Sequence, residues 1–159
     1  MCYIERLIDR KKYPPLNLPP TKAKVRSVDG LIQIFDQNRQ KFINLTPEEW
    51  VRQHYLNYLK EAKSVGPANI LTEFKVEYGN VVKRPDIAVI NSDHSYWLIA
   101  ECKAPTVKIT EDTLQQVLTY ASVINPRLVA LTNGLHHFYF EFRPDLGKFV
   151  SIKDLPEHK

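Results

Sequence analysis

The chain has 159 residues, close to the commonest size of a single domain, and this length supports one hydrophobic core without disulfides or structural metals. Its formal net charge of +4 permits a polyanionic partner but does not demand one. The two cysteines, Cys2 and Cys102, show neither a zinc-ligand spacing nor a disulfide framework, and no apolar run reaches membrane-spanning length. These features argue against a disulfide-stapled secreted domain and against a membrane protein, and we expect a cytoplasmic location.

The first predicted unit is a Pro-rich N-terminal arm over residues 1–22, followed by a single folded domain over residues 23–159. The arm contains YPPLNLPPTK, whose four prolines disfavour regular structure. The next segment, KVRSVDGLIQIFDQNRQKFINL, predicts short strands joined by turns. Asp29-Gly30 is a typical hairpin dipeptide, and residues 36–39 form a second turn candidate.

A helix is predicted for TPEEWVRQHYLNYLKEA, because Thr46 is a good N-cap and Pro47 suits the first helical position. Glu48 and Glu49 in the first turn favour the positive end of the helix dipole. Apolar residues recur at helical spacing and form one stripe that we expect to be buried. The members of this stripe are Val51, Tyr55, Leu59 and Ala62.

Three further strands are predicted after this helix. They are ILTEFKVEY, RPDIAVIN and SYWLIAECK, separated by turns at Gly79-Asn80 and at residues 91–94. The last of them is apolar on both faces, so it needs cover on both sides and should be a central strand. One face carries Trp97, Ile99 and Glu101, and the other face carries Leu98, Ala100 and Cys102.

A second helix is predicted for ITEDTLQQVLTYASVIN, capped by Thr110 and ended by Asn125-Pro126. RLVAL and HHFYFEF then predict two strands around a turn, and the polar tail from residue 147 onward is predicted to hold a terminal helical turn. The order of strands, helix, three strands, helix and two strands is typical of an α+β or α/β fold, with one mixed sheet flanked by helices. The buried stripe of the second helix is predicted to be Leu114, Val117, Leu118 and Ala121.

Charged residues stand at the ends of two neighbouring predicted strands. Asp86 opens RPDIAVIN, while Glu101 and Lys103 close SYWLIAECK and point to the same face. The short connection predicts an antiparallel hairpin, so the three groups would meet at one end of the sheet. Such a set is suited to binding a hard divalent cation and to hydrolysing a phosphodiester. The plainer interpretation is a solvated rim with a weak salt bridge.

Two motifs of the hairpin, Arg84-Pro85-Asp86 and Glu101-Cys102-Lys103, resemble the PD-(D/E)xK signature of a large nuclease superfamily. Gln116 and Tyr120 resemble the Q-x-x-x-Y element of several of its branches, and PEEWVRQHYLNYL resembles the first helix of its restriction-type branch. Over residues 46–142 the chain resembles the N-terminal nuclease domain of type I restriction enzyme R subunits.

This resemblance implies a restriction-endonuclease-like fold and metal-dependent endodeoxyribonuclease activity. It implies Mg²⁺ or Mn²⁺ held by Asp86, Glu101 and the backbone carbonyl of Cys102, with Lys103 serving the attacking water. Glu49 would be the acidic catalytic residue of the first helix, with possible metal contact, and Glu48 is the competing candidate. The resemblance also assigns Gln116 to the catalytic site and implies nucleic-acid contacts by Arg52, Arg84 and Tyr120.

Plainer interpretations remain open for several of these residues. Glu49 lies three residues after Thr46, which is the spacing of a capping box. Gln116 and Tyr120 share a helix face and could equally form an exposed polar pair. Arg52 either positions phosphates or is solvated. Three side chains are expected to have no site role, namely His136 and His137 as surface residues and Cys102 as a small core residue.

One departure from the family concerns the ATP-driven motor of R subunits. The chain has no P-loop motif, and we expect no motor domain in it. The leading hypothesis is a DNA endonuclease that acts alone or with a separate motor or specificity subunit, and a homodimer would allow two strands to be cut. The alternatives are a module that binds nucleic acid without cutting and an assembly subunit that docks through the Pro-rich arm.

Overall fold

A computed structural model of the protein describes residues 7–159, so Cys2 and the start of the arm lie outside the described residues. Within this range the chain forms three β-sheets, two α-helices and one short 3₁₀-helix. The large sheet is mixed and is flanked by both α-helices, so the predicted α+β fold is confirmed. No helix of residues 7–159 is both long enough and apolar enough to cross a membrane.

The N-terminal sheet is an antiparallel meander of β1 (Val25–Val28), β2 (Leu31–Asp36) and β3 (Lys41–Asn44). The predicted hairpin turn is confirmed, because Asp29 and Gly30 have φ values of 51° and 78°, as a type I′ turn requires. One face of this sheet packs into a core cluster beneath the first helix. Its inward residues are Val25, Ile32, Ile34 and Ile43.

The prediction of one continuous strand over ILTEFKVEY is wrong. The structure divides it into β4 (Ile70–Thr72) and β5 (Val76–Tyr78), and β5 pairs with β6 (Val81–Lys83) in a separate hairpin. Glu73 between the two strands has a φ of 57°, a left-handed conformation that interrupts the extended chain. The turn at residues 79 and 80 is confirmed.

The large sheet also contains β7 (Ile87–Ile90), β8 (Tyr96–Cys102), β9 (Leu128–Thr132), β10 (His137–Arg143) and β11 (Lys148–Ile152). Its strand order is β11-β10-β9-β8-β7-β4. β8 is antiparallel to β7 and parallel to β9, so it is the central strand that the sequence predicted. β11 replaces the predicted helical turn of the tail, because it pairs antiparallel with β10 and packs Phe149 on one face of the sheet and Ile152 on the other.

The first helix, α1 (Pro47–Ala62), begins where it was predicted to begin. Thr46 caps it, since its Oγ1 accepts the backbone N–H of Glu49 at 3.0 Å. Ala62 is exposed, although Leu59 and Lys63 on either side of it are buried, so the predicted stripe is wrong at that position. The buried part of the stripe consists of Val51, Tyr55 and Leu59.

The second helix, α2 (Glu111–Ile124), lies on the other face of the sheet. It begins after Thr110 and ends at Asn125, which adopts the left-handed conformation typical of a helix C-terminus. α1 packs against the β8 face that holds Leu98 and Ala100, whereas α2 packs against Val129 and its neighbours on the opposite face. The stripe of α2 is buried at Val117 and Ala121 and partly buried at Leu114 and Leu118.

The described part of the Pro-rich arm packs on the body of the protein. Tyr13 is buried and donates its hydroxyl hydrogen to the backbone carbonyl of Leu45 at 3.0 Å. The carbonyl of Pro14 accepts the indole N–H of Trp50 at 3.0 Å. The backbone N–H of Asn17 donates to the carbonyl of Gly134, in the turn between β9 and β10. The arm is therefore irregular, as predicted, but it is held by hydrogen bonds and apolar packing. A domain boundary at residue 22 stays a prediction.

Candidate functional site

Asp86 lies directly before β7 and faces the end of the neighbouring strand. Ile87 pairs with Ala100, which brings the preceding aspartate beside the last residues of β8. The carboxylate of Asp86 is fixed there, since its Oδ2 accepts the backbone N–H of Cys102 at 2.7 Å. The main chain of β8 thus orients this side chain toward the end of the strand.

Glu101 and Lys103 point to the same side of the sheet at that end. The Lys103 Nζ atom lies 3.1 Å from Oε1 of Glu101, and the hydroxyl of Tyr120 donates to Oε2 at 3.3 Å. Tyr120 reaches Glu101 because α2 packs on this face of the sheet. Burial and the negative charge of Asp86 raise the pKa of Glu101. The pairing of Ile87 with Ala100 places Asp86 and Glu101 at adjoining strand ends, which makes the two carboxylates near neighbours.

The N-terminus of α1 adds a further carboxylate to this cluster. The Glu48 carboxylate lies 3.9 Å from Arg52, and burial, followed by the negative charge of Asp86, raises the pKa of Glu48. Glu49 has a different environment, with only 6% of its surface exposed. Its Oε1 accepts a hydrogen bond from Gln53 at 2.8 Å, and its Oε2 pairs with Arg52 at 3.1 Å. Both glutamates therefore lie beside Arg52, and which of them is the acidic residue of the site stays a prediction.

Arg52 is an internal counter-charge of the site. Its guanidinium lies 3.1 Å from Glu49, 3.5 Å from Asp86 and 3.9 Å from Glu48. Burial opposes its charged form, but the carboxylates of Glu49 and Asp86 outweigh burial and raise the pKa of Arg52. Sequence reasoning missed this role, although the spacing of Arg52 from two glutamates on one helix was a usable signal. A contact of Arg52 with DNA stays a prediction.

Lys103 is held in its charged form. Burial opposes the ammonium, but the carboxylate of Glu101 and then that of Glu48 more than compensate, so the pKa of Lys103 is raised. Burial also raises the pKa of the Tyr120 hydroxyl, with the negative charge of Glu101 as the second cause. At neutral pH both groups are therefore hydrogen-bond donors beside Glu101.

An open cavity of about 580 Å³ lies next to these residues. It is bounded by α2 on one side and by the β5–β6 hairpin with the segment after it on the other. Glu101 and Lys103 lie in its wall, and basic and polar side chains together with valines complete it. The predicted site residues among its lining are Arg84, Gln116 and Tyr120.

The oxygen donors of the site suit a hard divalent cation of the kind that the resemblance implies. Asp86 and Glu101 repel each other, and a dication between them would relieve the repulsion that raises the pKa of Glu101. Among residues 7–159 no group of three or more histidine, cysteine, aspartate or glutamate side chains is arranged to hold a metal ion. Asp86 and Glu101 are thus the two carboxylates that could hold a cation such as Mg²⁺, which would complete its shell with water.

Three residues were expected to have side chains without a site role. Cys102 is buried in the main core, as predicted, and burial raises the pKa of its thiol. His136 is exposed, as predicted, whereas His137 is only partly exposed. Its ring nitrogens lie 2.7 Å from the Thr132 hydroxyl and 2.8 Å from the carbonyl of Asn17, so His137 joins the arm to the sheet.

Comparison with known proteins gives one family match. Residues 47–156 match the family model described as type I restriction enzyme R protein N terminus (HSDR_N). No curated protein matches the chain. A solved structure similar to it is the fragment structure of a putative HsdR subunit of a type I restriction enzyme from Vibrio vulnificus YJ016. That likeness has 18% sequence identity and a TM-score of 0.48, and it covers 69% of this chain and 23% of the other. Because the family model spans most of the sequence, the chain belongs to the family of type I restriction enzyme R protein N-terminal regions.

Proposed function

We propose that this protein is a metal-dependent nuclease that hydrolyses phosphodiester bonds of DNA. The observation that carries the proposal is the meeting of the Asp86 and Glu101 carboxylates with the Lys103 ammonium at one end of the central sheet. Phosphodiester hydrolysis needs a hard cation, an oriented water and positive charge near the phosphate, and this cluster can supply or hold all three. Family membership supports a nuclease in general, and the metal and the DNA substrate are our extension.

Asp86 and Glu101 would hold Mg²⁺ or Mn²⁺, with the backbone carbonyl of Cys102 as a further donor. Glu48 is our choice for the acidic residue of α1, because it is partly exposed and the charges of Asp86 and Lys103 act on it, whereas Glu49 is buried as the partner of Arg52. A bound cation would lower the pKa of a coordinated water and stabilise charge on a phosphoryl oxygen.

Lys103 orients the attacking water and neutralises negative charge that builds up on the phosphate. Its raised pKa keeps it protonated, so it is a donor in this scheme and not the base that removes the proton from water. Tyr120 holds Glu101 through its hydroxyl group, which also keeps that carboxylate turned toward Lys103. Arg84 and Gln116 line the neighbouring cavity, where they would contact the DNA backbone.

We further infer that the protein works together with other subunits and with DNA, because the family belongs to a multi-subunit restriction system. A separate motor or specificity subunit would bring this site to its substrate. Self-association as a homodimer stays an expectation, which the molar mass of the purified protein in solution would test.

The direct test is cleavage of circular and linear DNA by the purified chain in Mg²⁺ or Mn²⁺. Asp86→Asn keeps an oxygen that can accept the Cys102 N–H but removes the charge, so it should abolish cleavage without unfolding the protein. The matched control is Asp145→Asn, which removes an exposed carboxylate of the β10–β11 turn. Equal cleavage by wild type and Asp86→Asn would refute the proposal.

A second candidate is a module that binds nucleic acid without cutting it. It is favoured by Arg52, which already neutralises part of the charge on Asp86 and Glu49. This candidate predicts binding that weakens steeply with salt and no metal-dependent cleavage by the wild type. Cleavage that is lost in Asp86→Asn would exclude it.

A further inference from the structure

The outer face of the N-terminal sheet carries aromatic rings and cations side by side. Phe35 and Phe42 are cross-strand partners on β2 and β3, with ring centres 5.2 Å apart. The Arg26 guanidinium lies 3.9 Å above the Phe42 ring, and the Lys24 ammonium lies 5.4 Å from the centre of the Phe35 ring. Within residues 7–159 neither ring belongs to a core cluster. The four side chains therefore form a layer on the solvent side of the sheet.

The strand register shows that this face is separate from the buried one. Arg26 is opposite Gln33, Gln33 is opposite Asn44, and Phe35 is opposite Phe42, so all of them share the outer face. Leu31 is on the same face and is 58% exposed. None of these outward strand positions is acidic. The outward residues are Lys24, Arg26, Val28, Leu31, Gln33, Phe35, Phe42 and Asn44.

The two acidic residues of this sheet do not neutralise the positive charge of its outer face. Asp29 lies in the β1–β2 turn, and Asp36 is fully buried on the inner side. Asp36 is also paired with Arg39 at 3.3 Å. The outer face consequently offers cations, amides and aromatic rings to solvent, which is the chemistry of a surface that binds a single-stranded polyanion with flat bases.

We propose that this outer face binds single-stranded DNA. Unpaired bases stack on the Phe35 and Phe42 rings and on the plane of the Arg26 guanidinium, while Lys24 and Arg26 contact the phosphates. A duplex keeps its bases inside the double helix and cannot use the rings in this way. The face precedes residue 47, where the family match begins, so it is an addition to the proposed nuclease site and does not rest on it.

The position of the face connects it to the candidate nuclease site. β3 ends at Asn44, and Leu45 and Thr46 lead directly into α1, whose first turn holds Glu48. On its inner side the sheet packs against Trp50 of the same helix. The outer face thus belongs to an element that leads directly into the helix of the site and packs against it.

The test measures binding of a fluorescein-labelled oligothymidylate to the full chain by fluorescence anisotropy, with EDTA present so that no metal-dependent cleavage occurs. Lys24→Gln/Arg26→Gln should lower the affinity about tenfold and reduce the slope of log K against log salt by about 1.4, or about 0.7 per lost phosphate contact. The control Lys148→Gln/Lys153→Gln removes two exposed charges from the far edge of the large sheet and should bind almost like wild type. Equal losses in the two double variants would overturn the proposal, because binding would then follow net charge alone.

A second pair of variants tests the rings. Phe42→Ala should lower the affinity about tenfold through lost base stacking, whereas Phe42→Tyr keeps a ring and should bind as wild type does. Thermal unfolding followed by circular dichroism shows whether each variant is folded. If Phe42→Ala is unfolded, the double variant of the exposed residues Lys24 and Arg26 tests the proposal instead. Wild-type affinity in a folded Phe42→Ala would overturn the proposal. The proposal would also be overturned if the wild type bound a DNA duplex as tightly as oligothymidylate, or bound oligouridylate more tightly than oligothymidylate.

Discussion

The carboxylate of Asp86 accepts the backbone N–H of Cys102 at 2.7 Å. This bond joins the start of one strand to the end of its neighbour and holds the aspartate at the mouth of the β7–β8 hairpin. Because the donor is a backbone group, the orientation of Asp86 depends on the strand pairing and not on the side chain of Cys102, which lies in the core.

Replacing Lys103 with alanine should lower the cleavage rate about 10²- to 10⁴-fold, the usual range for a group that serves proton transfer or charge stabilisation. The fold should persist, since the lysine side chain is partly exposed. Lys108→Ala, an exposed lysine in the loop that follows, is the matched control. Single-turnover cleavage in Mg²⁺ measures the effect, and a rate within twofold of wild type would remove Lys103 from the mechanism.

The two glutamates at the start of α1 should respond differently to substitution. Glu48→Gln should lower cleavage with little change in stability, because Glu48 is partly exposed and the negative charge of Asp86 acts on it. Glu49→Ala should lower the free energy of unfolding by about 1–3 kcal/mol, because it removes the buried hydrogen-bond partner of Gln53 and the nearest of the three carboxylates around Arg52. Urea denaturation and cleavage assays on both variants separate the roles. The opposite pattern would make Glu49 the acidic residue of the site.

Glu101→Gln should abolish cleavage without lowering the melting temperature at pH 7. The pKa of Glu101 is raised by burial and by the negative charge of Asp86, so the folded state binds a proton at the Glu101 carboxylate more tightly than the unfolded state does. The stability of the wild type should therefore decline as pH rises from the ordinary glutamate pKa through the raised value, and glutamine should remove that decline. Melting curves of both proteins across this pH range are the measurement. A steeper decline in the variant would contradict the assignment.

Tyr120→Phe should move the acid limb of the cleavage profile to higher pH. The tyrosine hydroxyl donates to Glu101 and so favours its ionised form, and its loss should raise the pKa of Glu101 further. The site needs the ionised carboxylate to hold a cation, so activity should appear only at higher pH than in wild type. Cleavage rates measured as a function of pH test this, with Tyr96→Phe at the opposite end of β8 as a control. An unshifted profile would show that Tyr120 does not act through Glu101.

Much of the architecture was predictable because its signals are local. Thr46 and Pro47 predict the start of α1, and Asp29-Gly30 predicts a type I′ turn, since each depends on a few neighbouring residues. The division of ILTEFKVEY was not predictable in the same way. It depends on Glu73 adopting a left-handed conformation, which few residues other than glycine do without tertiary support. The pairing of β11 with β10 likewise depends on a sheet edge that the tail itself does not reveal.

For the candidate site, the sequence alone determined that Asp86, Glu101 and Lys103 lie at adjoining strand ends, because a short connection makes the two strands a hairpin. It also determined that Glu101 and Lys103 share a face, because side chains alternate along a strand. Only the tertiary structure decided that Glu49 is buried against Gln53 and that Arg52 is bound by carboxylates. The reason is that the side of a helix turned toward a site depends on how the helix packs on the sheet. That packing is set by contacts between residues far apart in the chain.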